Sequence, residues 1–103
     1  MTLAHDSADH AWMRQLEDES ETVIGFRTAW GKHGPRYIAY AVIDVDGFNQ
    51  EVEGWSRSNW MEALDHLAIE MGARTPEQIE ALQAEREAAA ERHIADAVRK
   101  EVA

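Results

Sequence analysis

The sequence predicts a single α+β domain in which one helix is followed by three antiparallel strands and two further helices. The chain has 103 residues, which is enough for one hydrophobic core. Three runs rich in β-branched and aromatic residues follow one another between residues 22 and 55, separated by glycine-containing turns. Apolar residues on either side of this region recur at the spacing of an amphipathic helix. Short turns make neighbouring strands antiparallel, so we expect a three-stranded sheet with helices on one face.

The N-terminal part is predicted to form one short helix. Residues 1–8 hold few apolar side chains and are expected to be disordered, which leaves residues 9–103 as the domain. Asp9 is a suitable N-cap, and Trp12 and Leu16 lie about one helical turn apart. The acidic run of residues 17–21 is expected to end the helix near Asp18, because negative charge opposes the helix dipole at its C-terminus.

The strands are predicted at residues 22–30, 36–45 and 48–55, with a loop over residues 31–35 and a two-residue turn at Asp46 and Gly47. This turn places Val45 opposite Phe48, and alternation along the hairpin then assigns a face to every residue. The predicted core face is mostly apolar and holds Tyr37, Ala39, Ala41, Ile43, Val45, Phe48, Gln50 and Val52. The predicted outer face is aromatic and acidic and holds Ile38, Tyr40, Val42, Asp44, Asn49, Glu51, Glu53 and Trp55.

Two helices are predicted after the sheet. Asn59 and Glu62 fit a capping box, and the apolar period of residues 60–71 marks the main core helix, which Gly72 ends. Thr75, Pro76 and Gln78 are typical of a helix start, and the last helix is predicted over residues 76–102. At about 40 Å it is longer than so small a core. We therefore expect its far end to project or to pack on another chain, and Ile94, Ala97, Val98 and Val102 are the expected contact residues.

The composition excludes several classes of protein. There are 20 acidic and 10 basic residues, a net charge of −10, and such a charge repels phosphate, so direct binding of nucleic acid is not expected. The absence of cysteine excludes disulfides and thiolate sites. No signal-peptide pattern and no apolar run of membrane-spanning length occurs, so we expect a cytoplasmic protein that does not span a membrane.

No chemistry-bearing motif stands out. Glu62 and Glu70 lie four residues on either side of His66 and share its helix face, but such a face is more often solvated than metal-binding. The acids of the outer face lie on an open surface, whereas a catalytic pair of carboxylates needs a cleft that gives its two members different environments. We therefore expect no enzyme activity, no metal and no cofactor.

The four tryptophans are predicted to divide between packing and binding. Trp12, Trp30 and Trp60 are expected to pack in or against the core. Trp55 is expected on the outer face or at its strand end, and an exposed aromatic side chain beside carboxylates is typical of a protein interface.

Two families resemble part of this plan. Residues 36–71, with Glu53-Gly54-Trp55-Ser56 and a helix containing Ala63 and Ala68, resemble the second half of a double-stranded-RNA-binding domain. The lysine cluster with which that family holds phosphate is replaced here by residues 58–62, which contain no lysine. The hairpin followed by a helix with Glu62-Ala63-Leu64 resembles HicB-type antitoxins, although those begin with a strand and add a DNA-binding segment.

The element order over residues 9–90, with acids around the hairpin, resembles small acidic phage proteins that inhibit CRISPR nucleases. That resemblance and the charge together imply a nucleic-acid mimic that occupies a basic site on a larger, nucleic-acid-binding protein. The expected partner-binding residues are acids and aromatics: Asp44, Asp46, Glu51, Glu53, Trp55, Tyr40, Glu17, Asp18 and Glu19. Two alternatives stay open. One is an antitoxin-like or oligomeric interaction protein, for example a homodimer, that uses the last helix, and the other is a small-ligand-binding protein that uses Trp55 and Tyr40.

Overall fold

The computed structural model describes residues 8–102 and confirms the predicted order of elements. They are α1 (Ala8–Ser20), β1 (Ile24–Gly31), β2 (Gly34–Val45), β3 (Phe48–Ser56), α2 (Trp60–Glu70) and α3 (Pro76–Val102). The strands form one antiparallel sheet in the order β1-β2-β3, in a single small domain. Residues 1–7, most of the segment expected to be disordered, lie outside the described residues, and Ala8 already belongs to α1.

The two turns of the sheet set its register. Asp46 (φ 53°) and Gly47 (φ 86°) both adopt the left-handed conformation that a two-residue hairpin turn requires, and Val45 pairs with Phe48 as predicted. The connection between β1 and β2 is shorter than the predicted loop, because Gly31 pairs with Gly34 and only two residues lie between them. Pro35 is therefore the second residue of β2, near the strand end where a missing N–H is tolerated.

The core lies between one face of the sheet and the helices. Leu16 of α1 and Leu64 and Leu67 of α2 are fully buried. α2 packs on β3 and β2, and it approaches β3 so closely that a Cβ at Gly54 would lie 2.5 Å from the carbonyl oxygen of Ala63. Only glycine permits this approach, and it fixes the helix layer over β2 and β3.

The predicted signals at the starts of α2 and α3 are present, and one of them is only partly formed. The Asn59 side chain accepts a hydrogen bond from the Glu62 N–H at 2.9 Å, but the Glu62 carboxylate meets the Ser56 hydroxyl at 3.2 Å, so the capping box is only half formed. Thr75 and Gln78 make both reciprocal bonds, at 2.9 and 3.1 Å.

The bounds of α1 differ from the prediction at both ends. It begins one residue before Asp9, which lies in the first turn and is not the N-cap. It also continues through the acidic run to Ser20. Arg74 pairs with Glu19 there, and this positive charge offsets the repulsion between the carboxylates and the helix dipole.

Only the first part of α3 packs against the domain. Ile79 is buried and Leu82 is half-buried, whereas Ala89 and Ala90 are exposed and Ile94 is 62% exposed. The helix therefore projects, as its length predicts. The side chains of Ala97, Val98 and Val102, expected to form an oligomer contact, lie outside the described residues.

Candidate functional site

The outer face of the sheet, which is the side away from the helices, contains the predicted aromatic and acidic residues. Tyr40 pairs with Glu53 and Ile38 pairs with Trp55, as the turn register predicts. β1 adds Arg27 to this face, opposite Ile38. The sequence does not predict the role of Arg27, because the register of β1 depends on the turn between β1 and β2, for which a longer loop is expected.

Arg27 neutralises part of the predicted acidic face. Its guanidinium lies 4.8 Å from the centre of the Tyr40 ring, pairs with Glu53, and lies 3.8 Å from Glu51. Tyr40 in turn covers Gly25, where a Cβ would lie 2.5 Å from the Tyr40 hydroxyl oxygen. All three charged side chains are about half exposed, so each ion pair contributes at most about 1 kcal/mol. Glu51 and Glu53 therefore present less negative charge to a partner than the sequence suggests.

Trp55 lies at the far end of the outer face and is 42% exposed. The Arg36 guanidinium stacks 4.4 Å from its ring centre, and its backbone N–H donates to Nδ1 of His66 at 3.0 Å. This bond gives His66 a structural role on the open edge of β3, which helical spacing alone could not reveal. Among the described residues, no group of three metal-binding side chains converges, at His66 or elsewhere.

The hairpin tip, residues 44–49, projects past the helix layer. Val45 and Phe48 belong to the predicted core face, but they are 41% and 77% exposed. Their assignment to the core is wrong, because alternation gives the face of a residue and not how far the helices extend over it. Asp44 and Asp46 precede and follow Val45 in the chain, and neither takes part in an ion pair with any residue that the structure describes.

The acids at the end of α1 divide into two groups. Glu17 and Glu19 make internal contacts. The Glu17 carboxylate accepts the Ile24 N–H at 2.9 Å, and Glu19 binds Arg74 through two bonds of 2.6 and 2.9 Å. The hydrogen bond from Arg74, helped by one from Gln15, lowers the pKa of Glu19 to about 2.

Asp18 and Glu21 form the second group, and both are exposed without an ion pair in the described structure. Glu21 adopts a left-handed conformation (φ 54°) and shares a shallow hollow with Asp44 beside the hairpin. Asp18, Glu21, Asp44 and Asp46 thus form the set of uncompensated carboxylates at this end of the molecule, which we call the tip acids.

A buried carboxylate that the sequence analysis missed holds the three helices together. Asp65 is 2% exposed and accepts four hydrogen bonds, one from Trp12 Nε1 (3.0 Å), one from Gln83 (3.2 Å) and two from Arg86 (2.8 and 3.0 Å). Arg74 and Arg86 both lie over the Trp12 ring, at 5.3 and 5.8 Å. All acceptor sites of the carboxylate are used, so we assign Asp65 a role in folding.

Packing of the tryptophans agrees with the prediction at two positions and differs at a third. Trp12 is buried, and Trp60 makes edge contacts with Phe26 (4.8 Å) and Tyr37 (4.9 Å). Trp30 is 79% exposed, so its expected packing is wrong. It lies at the far end of β1, whereas α2 packs on β3 and β2.

Comparison with known proteins identifies no relative of this chain. No protein-family model, no curated protein and no solved structure matches this chain. Within the described residues, no helix is both long and apolar enough to cross a membrane.

Proposed function

We propose that this protein is a non-enzymatic inhibitor that covers a basic site on a larger, nucleic-acid-binding protein. The observation that carries the proposal is the hairpin tip, where Asp44 and Asp46, neither in an ion pair with a described residue, lie within four residues of the exposed Phe48 on a tight turn. An exposed aromatic anchor within a polar rim is the usual composition of a protein-binding hot spot. A two-residue turn also loses little conformational entropy on binding.

The charge of the tip acids specifies the kind of partner. Carboxylates held on a folded scaffold can replace the phosphates that lysine and arginine side chains bind in a nucleic-acid-binding protein. We expect this attraction to accelerate association and to weaken as salt is added. Glu51 and Glu53 share their charge with Arg27, so we rank them after Asp44 and Asp46 as contact residues.

The resemblance in element order suggests the first partner to test, which is a CRISPR nuclease. In this proposal the protein is a phage anti-defence factor that acts in the cytoplasm, where the nuclease meets its DNA. The test is DNA cleavage by guide-RNA-loaded CRISPR nucleases, together with direct binding in the presence and absence of duplex DNA. We expect the protein to inhibit cleavage and duplex DNA to compete with it.

Two sets of variants with the same change in net charge separate the hairpin tip from bulk charge. Asp44→Lys with Asp46→Asn changes the tip, and asparagine keeps the left-handed conformation at position 46. Glu80→Lys with Glu87→Gln makes the same change on exposed positions of α3. We expect the tip variant to weaken binding at least about 100-fold, since each lost interfacial charge pair costs a few kcal/mol, and the α3 variant to change it little. Equal losses would mean that only net charge matters, and binding that DNA does not displace would contradict the proposal.

The projecting end of α3 supports a second candidate, an antitoxin-like or oligomeric interaction protein. Apart from the half-buried Ala88, the residues after Arg86 are exposed as far as the side chains are described, and Ile94 offers an apolar contact there. Deletion of residues 92–103 tests this candidate. We expect loss of self-association or of partner binding, with unchanged thermal stability, if this segment is the interface.

A further inference from the structure

The free edge of β1 presents hydrogen-bonding groups that the fold leaves open. In a two-residue hairpin the residues that flank the turn form a hydrogen-bonded pair, and such pairs alternate with non-bonded ones. Starting from Val45 and Phe48, this alternation turns the N–H and C=O groups of the even-numbered residues of β1 away from β2. Two bonds agree with it, because Ile24 N–H, on the free edge of β1, donates to Glu17, and Trp55 N–H, on the free edge of β3, donates to His66.

The two edges of the sheet differ in protection. β3 is held by α2 and His66, and it carries Glu51 and Glu53, which discourage pairing with another strand. On β1 the Ile24 N–H is taken by Glu17, so the alternation leaves Phe26, Thr28 and Trp30 with N–H and C=O groups that are open among the described residues. Phe26 and Trp30 are also 39% and 79% exposed. An exposed apolar edge of this kind is a template for a further strand.

We propose that β1 pairs antiparallel with β1 of a second copy, with Thr28 opposite Thr28 around a two-fold axis. The result is a six-stranded sheet with the helices of both copies on the same side. This inference goes beyond the proposed function and does not depend on it, because the strand pairing uses main-chain groups of β1, whereas the proposed function uses the side chains of the tip acids.

The position of the open groups selects this register. Only registers that oppose even-numbered residues join open groups to open groups. With Thr28 opposite itself, Phe26 faces Trp30 of the second copy and all three open residues are used. A register shifted toward the start of β1 would need the Ile24 N–H for strand pairing, and Glu17 already occupies it. A register shifted toward the end of β1 would place Phe26 opposite Lys32, which lies outside the strand. The selected register also makes two cross-strand pairs of Phe26 with Trp30, a favoured combination.

Charge also favours a second copy over another occupant. β1 contains no acidic residue, and its one charge is Arg27. The tip acids lie at one end of the sheet, whereas Lys32 and the exposed Arg57 lie at the other. Antiparallel pairing therefore sets the basic end of each copy against the acidic end of the other, and the register places Lys32 opposite Ile24, beside Glu17. This local attraction offsets the repulsion between two chains of net charge −10.

Sedimentation and hydrogen exchange of the full chain test the proposal. From micromolar concentration to about 0.5 mM we expect a monomer to dimer transition. The amides of Phe26, Thr28 and Trp30 should become protected at the concentrations where the dimer forms. A chain that stays monomeric over this range would overturn the proposal, and so would protection of these amides that appears only when a basic partner protein is added.

Substitutions at Thr28 connect the dimer to this edge. Thr28→Pro removes an N–H that the monomer does not use, and Thr28→Lys sets two like charges opposite each other, so each should weaken the dimer at least about 10-fold without changing the circular dichroism of the monomer. Thr28→Val keeps the pairing and serves as the control. A dimer that survives both Thr28→Pro and Thr28→Lys would contradict the proposal. A dimer lost only on deletion of residues 92–103 would also contradict it and would assign self-association to α3.

Discussion

The indole N–H of Trp12 donates to the buried carboxylate of Asp65, 53 positions along the chain, and so ties α1 to α2. The same carboxylate accepts two bonds from Arg86 of α3. We expect Asp65→Ala to lower the free energy of unfolding by about 3 kcal/mol, because it leaves the partly buried Arg86 without its counter-ion and Trp12 without an acceptor. Urea denaturation measures this loss. Glu80→Ala, on the exposed face of α3, should change stability by at most about 0.5 kcal/mol, and a similarly small effect at Asp65 would contradict the assigned role.

The close approach of α2 to Gly54 predicts a large effect of a single methyl group. Gly54→Ala would push a Cβ into the backbone of Ala63 and Leu67, so we expect a loss of about 2 kcal/mol or more or a shift of the helix. Gly31→Ala is the matched control, because nothing lies within 4 Å of a Cβ there, and it should be nearly neutral. Thermal melts of both variants compare the two sites. Equal melting temperatures would show that α2 can move away at little cost.

The left-handed conformation of Glu21 predicts a stabilising substitution. Glycine adopts a φ of 54° without the steric cost that glutamate has, and its introduction also removes a negative charge from the C-terminal end of α1. Glu21→Gly should therefore raise the free energy of unfolding by about 1 kcal/mol. The same change at Glu80, inside α3, should lower it by a similar amount, because glycine disfavours helix. If both substitutions destabilise, the turn after α1 does not need the left-handed conformation.

The pair formed by Glu19 and Arg74 predicts an acid-sensitive part of the stability. Since folding lowers the pKa of Glu19 from 4.5 to about 2, the pair contributes fully above pH 4.5, and its contribution is lost as pH falls from there toward 2. The Glu19 side chain is 39% exposed, so solvent screening limits the total to about 1 kcal/mol. Melting curves of the parent chain and Glu19→Gln should differ by a constant amount near neutral pH and converge in acid. A difference that does not depend on pH would contradict this origin.

The net charge predicts that the chain does not bind nucleic acid itself. Because the net charge is −10 and residues 58–62 contain no lysine, we expect no binding to duplex DNA or RNA at physiological salt. Fluorescence anisotropy with labelled duplexes is the measurement. Micromolar affinity would instead favour the resemblance to double-stranded-RNA-binding domains.

The fold could be predicted from the sequence wherever a local signal determines the geometry. Asp46 and Gly47 fix the turn and, through it, the whole register of β2 with β3. Thr75 and Gln78 mark the start of α3 in the same local way. These two signals need only neighbouring residues, and the tertiary structure leaves both unchanged.

The parts that the sequence analysis missed depend on distant partners. Asp65 has the spacing of an ordinary helix residue, and its burial follows from Arg86, which is 21 positions away. Exposure of Trp30 and Phe48 depends on where the helices stop covering the sheet. The neutralising role of Arg27 depends on the register of β1, which changes with the length of one turn.

The projecting α3 also has a mechanical consequence. Ile79 and Arg86 hold its first turns, and residues 87–102 extend about 24 Å beyond them. A protein that binds the outer turns and pulls on them therefore transmits force to the contacts between Arg86 and the Asp65 carboxylate. The Trp12 indole is hydrogen-bonded to that carboxylate, so a force on α3 should change the environment of Trp12. The fluorescence of Trp12 would then report binding at the outer turns of α3.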